Sequence, residues 1–81
     1  MHEFSLAKQL VQVAERTLPA DGSRQVKTVT VRLGALAGID PESLAAAFEL
    51  ASAGTSFEGA QLDIEPAEGN ELVLVALKVE A

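Results

Sequence analysis

The chain has 81 residues, a net charge of −6 and an apolar content of 48%, with one histidine and no cysteine, tryptophan or tyrosine. That length makes a single domain with one core, burying about 60% of the surface its unfolded form exposes, and a mean hydropathy of +0.22 argues for a packed fold rather than disorder. Without cysteine, these residues hold no disulfide, thiolate zinc site, iron–sulfur cluster or cysteine nucleophile.

From Phe4 to Leu18 apolar residues recur at helical spacing (Phe4, Leu6, Ala7, Leu10, Val11, Val13, Ala14, Leu18), with Lys8, Gln9, Gln12, Glu15 and Arg16 filling the other side, which predicts a helix with a broad buried stripe. Pro19 stops it, and Asp21-Gly22-Ser23 supplies turn chemistry. Val26 to Leu33 alternates Val29, Val31 and Leu33 with Thr28, Thr30 and Arg32, the pattern of a strand with one face inward. A second helix begins at Asp40-Pro41-Glu42, where Asp40 caps the free amides, Pro41 fits the first helical position and Glu42 suits the positive end of the dipole. It runs to about Ala53, buries Leu44, Ala47, Phe48 and Ala51, and ends at Gly54. Gln61–Glu65 and Leu72–Val79 read as strands joined by the hairpin loop Pro66-Ala67-Glu68-Gly69-Asn70, with Gly69 or Asn70 at positive φ. The last of them is so continuously apolar that a core-facing or central position is expected, and at an edge it would offer strand exchange or partner pairing. The large core pieces are expected to be Phe4, Phe48 and Phe57. The fold class is α+β, with two α-helices packed on a three-stranded mixed sheet in one domain, residues 1–81.

Met1-His2-Glu3 is the most informative segment. A primary amine, a deprotonated main-chain amide and an imidazole one residue apart close chelate rings around a square-planar cation, a ligand set that suits Ni(II) or Cu(II). The bulk of His2 disfavours removal of Met1, which keeps the amine in place. Spacing alone leaves the alternative of a solvated side chain on a frayed end. Asp40 is open in the same way: an N-cap needs no further purpose, yet a carboxylate in the loop after a strand could approach the N-terminus and flank a metal. Enzyme readings fare badly, since any nucleophile–base–orienter triad would have to recruit His2. Every charged residue between Leu33 and Leu77 is an acid, a field that repels phosphate backbones and anionic lipid, so neither nucleic acid nor membrane is expected as a partner. With no run approaching the ~20 apolar residues that cross a bilayer, and no basic segment leading into an apolar one at the N-terminus, a cytoplasmic protein is expected.

Several segments in order, MHEFSLAKQLVQVAE, VTVRLGALAGIDPESLAAAFELASAGTSFEGAQLDIE and ELVLVALKVE, together resemble the HypA/HybF family of hydrogenase nickel-incorporation proteins over nearly the whole chain. The resemblance implies a nickel site at the MHE segment, with His2 as principal side-chain ligand, the Met1 amine, main-chain nitrogens and Glu3 contributing, and Asp40 at an acidic position near it. It also implies a non-enzymatic, cytoplasmic metallochaperone that passes Ni(II) to a [NiFe]-hydrogenase large-subunit precursor with a HypB-like GTPase, and in some bacteria serves urease maturation.

One departure stands beside the match. The family carries a zinc domain of two paired-cysteine motifs between its last two strands, where this chain has only Pro66-Ala67-Glu68-Gly69-Asn70. No zinc is therefore expected, and a short hinge beside a long apolar strand invites a domain-swapped homodimer. A second reading is a non-metallated scaffold, a zinc-free variant or engineered fragment docking to maturation partners.

Overall fold

The computed structural model describes residues 2–18 and 25–80, with the His2 side chain outside that description. In chain order the elements are α1 (His2–Glu15), β1 (Val26–Gly34), α2 (Pro41–Ala51), β2 (Gln61–Ala67) and β3 (Leu72–Val79). The expected α+β architecture is present: two helices cover one face of a three-stranded mixed sheet. Pro19 and Asp21-Gly22-Ser23, the expected stop and turn after α1, lie outside the described residues.

The helix α1 closes earlier than Leu18. Beyond Glu15 the bonds tighten to three-residue spacing, with Thr17 N–H donating to the Ala14 carbonyl at 3.0 Å and its hydroxyl to the same oxygen at 2.7 Å. Ala7, Leu10, Val11 and Ala14 form its buried stripe, which is narrower than expected because Val13 is exposed. Phe4 falls outside that stripe and is 45% exposed, with the Lys8 ammonium 5.7 Å from its ring centre, so the expectation of Phe4 in the core is corrected. One turn apart on the helix surface, Phe4 and Lys8 face each other rather than the sheet. Phe48 and Phe57 are fully buried, as expected.

On β1 the alternation holds from Thr28 onward, with Val29, Val31 and Leu33 inward. Val26 is also buried although its parity is wrong. The pairing with β3 runs Val26↔Val79 then Thr28↔Lys78, so Lys27 is an extra residue and the strand changes phase there.

The sheet order is β2-β1-β3, with β1 parallel to β2 and antiparallel to β3. Two expectations are thereby corrected. The last two strands form no hairpin, because β1 lies between them, and the apolar β3 is an edge rather than a central strand, although its Leu72, Leu74, Leu77 and Val79 do pack against the core. Parallel pairing of β1 with β2 requires a crossover, which α2 supplies. The link from β2 to β3 then passes over the end of β1. There Gly34 N–H donates to the Glu71 carbonyl at 2.8 Å, Ala35 N–H to the Ala67 carbonyl at 2.8 Å and Leu36 N–H to the Gly69 carbonyl at 2.7 Å. Gly69 takes the positive φ, at 91°. Gly34 lies so close beneath this bridge that a Cβ on it would come within 2.6 Å of the Gly69 carbonyl carbon.

Between α2 and β2 the chain makes a series of turns that serve to bury Phe57. Gly54 bends it at φ 79°, its N–H donating to the Glu58 carboxylate at 2.9 Å, and Phe57 N–H donates to the Thr55 hydroxyl at 3.0 Å. Phe57 then fills the core beside Phe48 and Leu44.

Candidate metal centre

The start of α2 is built as its residues dictate. Asp40 has extended backbone and its Oδ2 accepts from Ser43 N–H at 3.0 Å, the standard N-cap bond. The Ser43 hydroxyl donates to the same oxygen at 2.9 Å, a second partner that the Asp-Pro-Glu-Ser order signals but that the capping argument did not single out. Pro41 stands at the helix start and Glu42 in its first turn. The helix α2 ends at Ala51, two residues short of Ala53, with Ser52 as its C-cap. Replacing Asp40 with Ala should cost about 1 kcal/mol of stability, measurable as a lowered urea midpoint at unchanged m-value.

Both helices begin at one end of the molecule. Leu6 and Leu10 of α1 share a groove with Leu72 and Leu74, and Leu72 pairs with Leu33 near the end of β1. Ile39 and Pro41, entering α2, share another with Leu33 and Pro66. The N-termini of α1 and α2 and the β2–β3 bridge therefore all lie at the pole where β1 ends. Glu3, half-buried in the first turn of α1, belongs to this pole with Asp40, Glu42, Glu68 and Glu71. Arg16 lies just past the other end of α1, Lys27 at the start of β1, and Lys78 pairs with Thr28, whereas Arg32 stands next to Leu33 at this end of β1, 3.6 Å from Glu65, and Lys8 lies beside Phe4 in the first half of α1.

Two helix N-termini each present about half a positive charge, which alone would repel a cation. The carboxylates at the same end oppose that field. Of the residues singled out in the sequence, the fold brings Glu3 and Asp40 to the same pole as the first turn of α1. Met1 lies outside the described residues, as does the His2 side chain, whose backbone opens the helix. Among the described residues, no three histidines or acids converge closely enough to hold a metal ion. No described helix is long and apolar enough to cross a membrane.

Residues 1–72 match the family model described as hydrogenase/urease nickel incorporation, metallochaperone, HypA. The hydrogenase maturation factor HypA of Roseiflexus sp. (strain RS-1) is 46% identical over 65 residues, 80% of this chain and 53% of that protein. The HypA of Chlorobium limicola is 43% identical over 65 residues, 80% of this chain and 56% of its own length. The chain thus spans little more than half the length of these relatives. Among solved structures, the solution structure of the Ni metallochaperone HypA from Helicobacter pylori superposes with a TM-score of 0.80 at 18% identity, covering 98% of this chain and 97% of that one, a likeness of fold. With the family model spanning all but the last nine residues and these relatives agreeing, the chain belongs to the HypA family of nickel-incorporation metallochaperones.

Proposed function

We propose that this chain is the nickel-binding domain of a metallochaperone for [NiFe]-hydrogenase maturation. It holds Ni(II) as cargo through the Met1 amine, a main-chain amide and the His2 imidazole, with Glu3 contributing and Asp40 flanking. The observation that carries this reading is the placement of the first turn of α1, Glu3 and the Asp40 cap at the same end of the sheet, in a chain of this family. Few ligands at a peripheral terminus favour release to a recipient, here a [NiFe]-hydrogenase large-subunit precursor working with a HypB-like GTPase, or a urease maturation protein. The role is transfer rather than catalysis, in the cytoplasm.

The 68–71 bridge closes the sheet where the family carries its insert, and with no cysteine the chain takes no thiolate-bound zinc. Exposed apolar side chains at Leu36 (78%) and Leu50 (72%) favour the second reading, a non-metallated scaffold docking to maturation partners.

A Ni(II) titration followed by calorimetry and absorption separates the two. The chain with an authentic Met1 terminus should bind one equivalent with a yellow square-planar band. His2→Ala should weaken binding by at least about tenfold and lose that band, and affinity should fall below about pH 6.5 as the imidazole protonates. Asp40→Asn keeps the cap, since Asn caps as well as Asp, so any loss of affinity in that variant belongs to the carboxylate. Equal weak binding by the chain and His2→Ala would leave the scaffold reading.

A further inference from the structure

The two edges of the sheet are built differently. Along β2 the outward residues include Asp63 and Glu65, and Pro66 removes a backbone donor, features that blunt an edge against pairing. Along β3 only Lys78 is charged, and among the described residues the strand pairs with β1 alone. Beside it α1 leaves an apolar strip uncovered, in which Leu6 and Val13 face Leu72 and Leu74 and which continues past Leu77 to Val79.

The pattern of exposure along β3 has a particular symmetry. Its pairing with β1 steps from Thr30↔Ala76 to Val31↔Leu74, so Val75 is a bulge and the strand reverses phase there. Leu72, Leu74, Leu77 and Val79 are half-buried while Val73, Val75, Ala76 and Lys78 are exposed, an order that reads the same from either end about the Val75–Ala76 bond. A two-fold antiparallel pair of identical strands demands this, because each residue must share a face with its opposite number in the other copy. One register satisfies it at every position. Leu72 opposes the partner's Val79, Val73 the partner's Lys78, Leu74 the partner's Leu77, and Val75 the partner's Ala76. A slip of one residue puts inward against outward side chains.

We infer that β3 is the pairing edge for a second copy of this chain, joining two sheets into one of six strands with the two α1 helices closing over the seam. Eight residues at about 3.4 Å each give a junction roughly 27 Å long, and strand plus overlying helix give it a depth of about 20 Å. That covers about 550 Å² per copy and about 1,100 Å² in all, just above the ~1,000 Å² of a specific interface, so the dimer is weak, with Kd in the micromolar range. Electrostatics agree with that strength. Lys78 lies diagonally across from the partner's Glu71, while Glu71 and the partner's Glu80 oppose each other directly.

Sedimentation of the full chain between about 5 and 500 µM tests the inference, since a micromolar dimer crosses from monomer to dimer over that range. Val73→Glu places an acid against the partner's Lys78 twice per dimer and should tighten it by about three- to tenfold, whereas Val73→Lys should weaken it by about tenfold. The opposite signs at one exposed position exclude a general loss of folding, and the tightening alone decides the matter if the lysine variant is unstable. A chain that stays monomeric throughout, a dimer that both substitutions move the same way or neither moves, or a swapped dimer that does not dissociate on dilution would each overturn the inference.

Discussion

Gly34→Ala should be among the most damaging single substitutions in the chain, although it adds one methyl group. The new Cβ would meet the Gly69 carbonyl carbon at 2.6 Å and the Asn70 nitrogen at 2.9 Å, both backbone atoms held by the bonds that stitch the β2–β3 bridge to the end of β1. Neither can swing aside as a side chain would. Relief requires lifting the bridge, which strains or breaks the bonds from Gly34, Ala35 and Leu36. Overpacking of this kind costs about 3 kcal/mol, against a total stability of roughly 4–12 kcal/mol for a chain of this length. The melting temperature should fall by about 10–20 °C. The control is Gly38→Ala, where φ is 72° but nothing lies within 4 Å of the new atom, so only backbone strain of about 1 kcal/mol applies. Urea unfolding of both variants checks the contrast, and near-equal losses would mean that the bridge does not press on Gly34.

A comparable loss is expected from Phe57→Ala, at about 3–5 kcal/mol. Phe57 is fully buried although it belongs to no helix or strand, and the turns around it are arranged to put it there. Removing the ring empties a place in the core cluster whose other members, among them Leu44, Phe48, Val29 and Val31, are fixed by regular elements and cannot collapse into it. Phe4→Ala is the internal comparison. With 45% of Phe4 exposed and the Lys8 ammonium over its ring, the loss should be under about 1 kcal/mol. Equal costs at the two positions would contradict the placement of Phe57.

The elements were legible in the sequence where a local rule governs them. Asp40-Pro41-Glu42 set the start of α2, and the Thr/Val alternation set β1 and its inward face. Legibility failed where the deciding interaction is distant. Phe4 fits the helical spacing as well as Ala7 does, and only the angle at which α1 lies on the sheet leaves it outside. Pro66-Ala67-Glu68-Gly69-Asn70 has the composition of a hairpin, yet a connection of the same length can also step over an intervening strand, and the choice is made by β1 occupying the middle. The glycine at 34 gave no sign of its role, because the atoms that require it are thirty-five residues away. At the candidate centre the chelating character of Met1-His2-Glu3 was readable from chemistry alone, whereas the common pole of Glu3 and Asp40 depends on both helices running the same way over the sheet.

The central position of β1 also governs the order in which the molecule can form. Leu33 pairs with Leu72 and Val26 with Val79, so one side of the middle strand waits for residues about 40 to 50 positions further along. Until they arrive, β1 has only the neighbour that α2 delivers, and Val29, Val31 and Leu33 are covered on one flank alone. Pairings of such sequence separation are entropically slow to close. A chain emerging in order can pair β1 with β2 only once residue 67 is free and with β3 only once residue 79 is, so the sheet closes at the last step, when its final strand becomes available.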